Sequence, residues 1–318
     1  MSQPLVSVIV LNWNGEKVLA ECIDSLLSHD YTNTEIIIVD NASNDNSVKI
    51  AARYPQVKLV KNPDNFGYAT GNNVGFQHAN GKYIVTLNND IVVDPGWLNE
   101  PVRLLENDNR TGVVSCRQMN YFNKNNIDCL YHYPSEFLIF LSYGAGEIFD
   151  KNNPLHSEPG LVVSANGASA VYRASLLREL NGFDETYFAY HEECDLCFRI
   201  IYKGYKCVYC PSSIVYHMHG YSFKPKSDMF IYYYERNRYR FILKNYPFFY
   251  ILFHLHLIFY NELRIFAGLL LRNQFGPYLR ARFHFFANVK RILQCRKEYS
   301  YTNFKEIRKF FKKKKISY

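Results

Sequence analysis

The feature that most constrains this chain is a rhythm in its first hundred residues. Four short, almost purely apolar runs, at 6–11 (VSVIVL), 35–39 (EIIIV), 57–60 and 83–87 (YIVTL), alternate with stretches of helical periodicity. Runs this short and continuous suit strands buried on both faces. Between them, 16–28 sets Leu19, Ile23, Leu26 and Leu27 on one helical face, and 44–54 and 70–79 read as shorter helices. The alternation predicts an α/β fold: a mainly parallel central sheet with helices on both faces. A further helix is expected to open at Asp94-Pro95, with Asp94 as N-cap and proline at the first helical position.

In such sheets the ligand sits beyond the carboxyl ends of the strands. Three polar clusters stand there, Asn12-Trp13-Asn14, Asp40-Asn41 and Asn88-Asn89-Asp90, each directly after its strand. No GxGxxG follows the first strand, where Asn12-Trp13-Asn14-Gly15 stands instead, and no Walker A pattern is present. Farther on, 113–116 and 161–163 read as strands. The stretch 174–180 reads as a helix stopped by Gly182, and Glu192–Tyr202 as an amphipathic helix.

Two cysteine pairs, Cys194/Cys197 and Cys207/Cys210, have the spacing of zinc ligands. In a strand an odd offset sends two side chains to opposite faces, so Cys207 and Cys210 are expected to be core thiols rather than a metal pair. With no signal-peptide pattern at the start, a cytosolic, reducing compartment is the expectation.

Charge divides the chain. Residues 1–230 hold 18 Lys and Arg against 25 Asp and Glu, whereas 231–318 hold 19 against 4. The basic part is also rich in Phe and Tyr, the texture of helices lying in a membrane interface, with 312–315 (KKKK) drawn to anionic lipid. The longest apolar stretch, 248–271, carries His254, His256, Asn261, Glu262 and Arg264, too polar for a membrane span.

Seven blocks in order, VSVIVLNWNG, IIIVDNASNDNS, NFGYATGNNVG, YIVTLNNDIVV, GFDETYFAYHEECDLCFR, VYHMHGYS and YYYERNRYRF, resemble the inverting glycosyltransferases of family 2. The likeness spans 5–245 and lies nearest the bacterial rhamnosyltransferase-like branch. It implies a GT-A fold over 1–235, with a nucleotide-binding half (1–100) and an acceptor-side half (101–235). A helical extension over 236–318 would contact membrane.

The resemblance also implies roles. Asp90 would hold a divalent cation, Mg²⁺ or Mn²⁺, on the donor diphosphate, since such ions take hard oxygen ligands and often only one or two from protein. His217, with His219 beside it, would complete the metal site. Glu193 would be the base, standing where the family usually has Asp, and Glu192 and Asp195 would bind acceptor. Asp40 would read the base or ribose, Asn12, Trp13 and Asn14 would frame the nucleotide, and Asn65, Gly67, Asn73 and Asn89 would line the donor. The start of the helix near Asn65 would offer backbone N–H groups to phosphate. Arg236 would steady the departing diphosphate.

The reaction implied is transfer of a sugar, rhamnose first, from a dTDP- or UDP-linked donor to a saccharide or lipid-linked saccharide in cell-surface polysaccharide synthesis. Its place would be the inner face of the cell membrane, with no nucleic-acid partner. Two rivals are weaker. A nucleotidyltransferase wants a Gly- and Lys-rich loop after the first strand. A non-catalytic nucleic-acid binder wants a basic tail less apolar than this one.

Overall fold

The computed structural model describes residues 3–219, 227–272, 274–296 and 301–311; the lysines at 312–315 lie outside them. The elements begin β1 (Val6–Asn12), α1 (Leu19–Leu27), β2 (Thr34–Asp40), α2 (Ser47–Ala51), β3 (Val57–Lys61), α3 (Gly67–Gln77), β4 (Tyr83–Asn88), β5 (Ile91–Val93), α4 (Asn99–Asn107) and β6 (Thr111–Asn120). The middle holds β7 (Ile127–Cys129), β8 (His132–Pro134), β9 (Phe140–Ser142), α5 (Pro154–Ser157), β10 (Gly160–Val162), β11 (Ser169–Arg173), α6 (Ala174–Glu179), α7 (Glu192–Tyr202) and β12 (Lys206–His217). The last part is helical: α8 (Asp228–Asn245), α9 (Phe248–Phe253), α10 (Leu255–Leu271), α11 (Phe275–Arg296) and α12 (Phe304–Arg308).

The main sheet runs β10-β12-β6-β11-β4-β1-β2-β3. Period-two alternation sorts its side chains into two cores. Val6, Val8 and Val10 of β1 join Leu19 and Ile23 of α1 and Leu105 of α4 on one face. Ile9 of β1 joins Ile37 and Val39 of β2 and Ala69 of α3 on the other. There α3 lies almost on the sheet, because it is glycine at the contact: a Cβ on Gly75 would sit 2.5 Å from Ile9 Cγ2. The cysteines follow the same rule, Cys207 entering one core and Cys210 the other.

The first four strands read from the sequence are all parallel, in the order β3-β2-β1-β4. The second half of the sheet is mixed. β11 enters antiparallel between β4 and β6, and β12 returns parallel to β6. One boundary needs correction. Asp94-Pro95 makes a turn, and α4 begins at Asn99 with no side-chain cap. The reason is tertiary. The Asp94 N–H donates to Ile214 O of β12 (3.1 Å), and fully buried Trp97 fills the turn.

The stretch 248–271 breaks at His254 into α9 and α10, and among the described residues no helix is long and apolar enough to cross a membrane. The expected boundary at 235/236 falls inside α8. Phe241 and Ile242 of that helix, Tyr246 after it, and Phe304 and Ile307 of α12 all sit in the sheet's own core.

Candidate active site

Short strand β5 decides the geometry of the site. It pairs antiparallel with the end of β12 in the register His217↔Ile91, which sets His217 beside Asp90. The Met218 N–H closes the pairing on Asp90 O (2.9 Å). His217 Nε2 then lies 3.2 Å from Asp90 Oδ1, a buried oxygen with no well-directed hydrogen bond. Strand β7, paired with β6, brings Asp128 behind the imidazole, its Oδ2 2.8 Å from His217 Nδ1. His219 and Gln118 also bond Asp128. Burial lowers the His217 pKa, but the carboxylates of Asp128 and Asp90 outweigh it and push the group up to about 9.

Two metal sets can be drawn here. The ligand atoms of Asp128, His217 and His219 lie within 4.8 Å of one another. Asp128, however, already accepts from three side chains, whereas buried Asp90 Oδ1 has His217 Nε2 at 3.2 Å and no well-directed hydrogen bond. One open carboxylate and one imidazole nitrogen held from behind by a second carboxylate fit a hard divalent cation.

The facing wall is the start of α7. Glu193 Oε1 lies 3.6 Å from His132 Nε2 of β8, and Glu193 Oε2 is buried without a partner. Burial, then the charge of Glu193, raises the pKa of fully buried Glu192, so its carboxyl tends to keep its proton. The approach to α7 is strained: Phe188, Tyr190 and His191 all have positive φ (66°, 72° and 72°), which bulky L-residues rarely adopt. Asn237 of α8 holds this loop, its Nδ2 donating to the carbonyls of Tyr187 (2.8 Å), Ala189 (2.7 Å) and Tyr190 (2.9 Å).

Asp90, His217, Glu192 and Glu193 line one cleft of about 380 Å³, together with Trp13, Asn65, Gly67, Asn89 and His132. The sequence model described as "Glycosyl transferase family 2" matches residues 7–180. The chain belongs to this family. Among relatives, "Putative glycosyltransferase EpsE" of Bacillus subtilis (strain 168) is 29% identical over 214 residues, 64% of this chain and 69% of that protein. "O-antigen chain rhamnosyltransferase WbaN" of Salmonella anatum is 27% identical over 191 residues, 59% of this chain and 58% of that one.

Two solved structures share the fold at low identity. GalNAc-T7 with UDP, GalNAc and Mn²⁺ has a TM-score of 0.61 at 18% identity, over 76% of this chain and 48% of its own. The mannosyltransferase PcManGT of Pyrobaculum calidifontis, with GDP-Man and Mn²⁺, has 0.54 at 20%, over 93% and 74%. The architecture is that of the GT-A glycosyltransferases, followed by a helical C-terminal region.

The other residues expected at a family 2 site are placed differently. Asp40 is buried beneath the cleft, accepting from Asn12 Nδ2 (2.7 Å), Ser43 Oγ (2.6 Å) and Ser43 N (3.0 Å). Asn12 lies beside it, accepting from Asn89 Nδ2 (2.8 Å), and Asn14 Oδ1 accepts from Asn44 N (2.9 Å). Asn41, next to Asp40, is the one that reaches the cleft wall. Asn73 holds Phe183 N and O, each at 2.9 Å, away from the cleft.

The N–H groups at the start of α3 are not turned to a ligand: Tyr68 N and Ala69 N donate to Phe188 O (2.6 and 3.2 Å). Asp195 faces away because two residues along a helix is about 200° of rotation. It joins a buried network with Arg199 (2.8 Å) and Lys244 (2.8 Å). Arg236 donates to Thr186 O (3.0 Å) and Tyr187 O (2.6 Å) and lines a separate pocket with Arg240 and His284. Asp128, His132 and Asn237 were not legible beforehand. The first two lie in three-residue strands without periodicity, and Asn237 looks like any polar helix residue next to the arginine that drew attention.

Proposed function

We propose that this family 2 member is an inverting, cation-dependent glycosyltransferase using a nucleoside-diphosphate sugar. The observation that carries the reading is the shared cleft: an open carboxylate and an imidazole at the strand ends, and an acid pair across from them. Asp90 and His217 Nε2 are the groups suited to hold Mg²⁺ or Mn²⁺. When bound, the ion would neutralise charge on the departing diphosphate. Glu193 takes the proton of the acceptor hydroxyl, whose oxygen bonds to the anomeric carbon as the carbon–oxygen bond to the nucleoside diphosphate breaks on the opposite face. Glu192, kept protonated by burial, is suited to donate a hydrogen bond to the acceptor.

The acceptor in this reading is a lipid-linked saccharide. Phe230 lines both the cleft and a second pocket of about 360 Å³ between α8 and α10, where Ile231 and Leu269 meet Arg264 and Arg272. An apolar floor with guanidinium groups suits a phosphate on a hydrocarbon stem. A dTDP- or UDP-linked rhamnose is the first donor to try, since one relative carries rhamnosyltransferase in its name. The test is a panel of nucleotide sugars with Mg²⁺, Mn²⁺ or chelator, reading nucleoside diphosphate release. Turnover of one donor, lost with chelator, is expected; equal turnover with chelator would remove the cation from the proposal.

A further inference from the structure

The hairpin of α10 and α11 is inside out. Its one acid and Arg282 face inward: Glu262 accepts from Arg238 and Arg282, both at 2.5 Å, and Glu235 from Arg282 at 2.6 Å. Its outer surface combines apolar side chains with cations. Of 21 large hydrophobic side chains exposed among the described residues, 15 lie between Phe248 and Leu293, so the exposure is one patch and not general scatter. On α10, Leu255, Phe259, Leu263, Phe266 and Leu270 recur at helical spacing on the outside. On α11, Leu279, Phe283, Phe286 and Leu293 do the same, with Phe283 71% exposed. A helix on a water-facing surface carries the opposite pattern.

We propose that α9, α10 and α11 lie in the plane of an anionic lipid leaflet, their outer Phe and Leu side chains in the acyl boundary. Charge selects this occupant. Residues 248–296 hold seven Lys and Arg but a single acid, Glu262, which is spent inside the hairpin. Arg272, Arg280, Lys290 and Arg291 are exposed on these helices. A second copy on the same face would set cations against cations across a self-matching patch, whereas anionic headgroups complement them. An in-plane position also agrees with the lack, among the described residues, of any helix able to span. The inference goes beyond the proposed reaction and stands without it.

The test is flotation of the full chain with vesicles of equal parts phosphatidylglycerol and phosphatidylcholine, against pure phosphatidylcholine. Strong co-flotation with the mixed vesicles, weakened by salt, is expected. The exposed triple change Phe259→Ser, Phe283→Ser and Phe286→Ser should lower affinity roughly hundredfold with an unchanged melting curve. Changing Arg280, Lys290 and Arg291 to Gln should cost roughly tenfold on the mixed vesicles only. If the triple serine chain does not fold, Phe283→Ser alone serves, with a loss of roughly fivefold. Flotation unaffected by these changes would overturn the proposal. So would a chain that ignores vesicles and sediments as a dimer that the serine changes split.

Discussion

The cleft and the C-terminal hairpin put buried charge to opposite uses. In the cleft, buried oxygens of Asp90, Glu192 and Glu193 lack hydrogen-bond partners. In the hairpin, Glu235, Glu262, Arg238 and Arg282 close on one another, and the apolar groups face out. An unpaired buried acceptor is costly and persists where a ligand completes it. Arg238 Nη1 is left without an acceptor, but the carboxylates of the cluster are paired and need no ligand, and the exposed surface is then what asks for a partner. The difference separates a site from a dock within one chain.

The largest effect should come from the cleft. Asp90→Ala and Glu193→Gln should each lower sugar transfer about a thousandfold while leaving thermal melting unchanged. Normal turnover in Glu193→Gln would show that another group is the base. In the hairpin the order should reverse. Arg282→Met takes from Glu262 one of its two guanidinium partners and should cost about 2 kcal/mol of local stability, read as faster amide exchange in α10 and α11, with donor cleavage preserved. Loss of donor cleavage in that variant would erase the distinction between the two regions.

Asn237→Ala should lower kcat more than the donor KM and cost about 2 kcal/mol, since three carbonyls of a strained loop lose their donor. Asp128→Asn should weaken Mn²⁺ binding, measured by calorimetry, roughly tenfold to a hundredfold, the effect of a group that orients a ligand. Complete loss would instead make Asp128 a direct ligand. The smallest effect concerns acid. Burial raises the Glu262 pKa, but Arg282 and Arg238 more than reverse this and hold it at about 2, against an ordinary 4.5. Its contribution is therefore present above pH 4.5 and lost as pH falls toward 2, so exchange in α10 and α11 should quicken over that window before the sheet responds.

How legible each region was follows from how its residues are held. Strands β1, β2 and β4 are buried on both faces, so apolar runs alone reveal them, whereas β3 is a half-exposed edge strand with Lys58 and Lys61 at the surface. β5 and β7 are three residues long and owe their existence to partners far along the chain; Asp128 was missed with them, and the meeting of Asp90 and His217 was expected from the family resemblance alone. Asp40 and Asp195 have the right residue type after the right element, and the hydrogen bonds of the one to Asn12 and Ser43 and the ion pair of the other with Arg199 are contacts that chain spacing does not reveal. The aromatic, basic texture of the tail was plain. Which side of each helix faces out depends on the ion cluster around Glu262, which only three-dimensional contact creates.

One turn of α8 joins the two regions. Glu235 and Arg238 grip the hairpin, while Arg236 and Asn237, between them in sequence, grip the loop that leads to Glu192 and Glu193. Arg296 ties the far end of α11 to Leu243 and Tyr246 as well, but only at this turn do the grips on hairpin and loop alternate residue by residue, so the turn works as a shared axle, and a substitution there is answered at both ends.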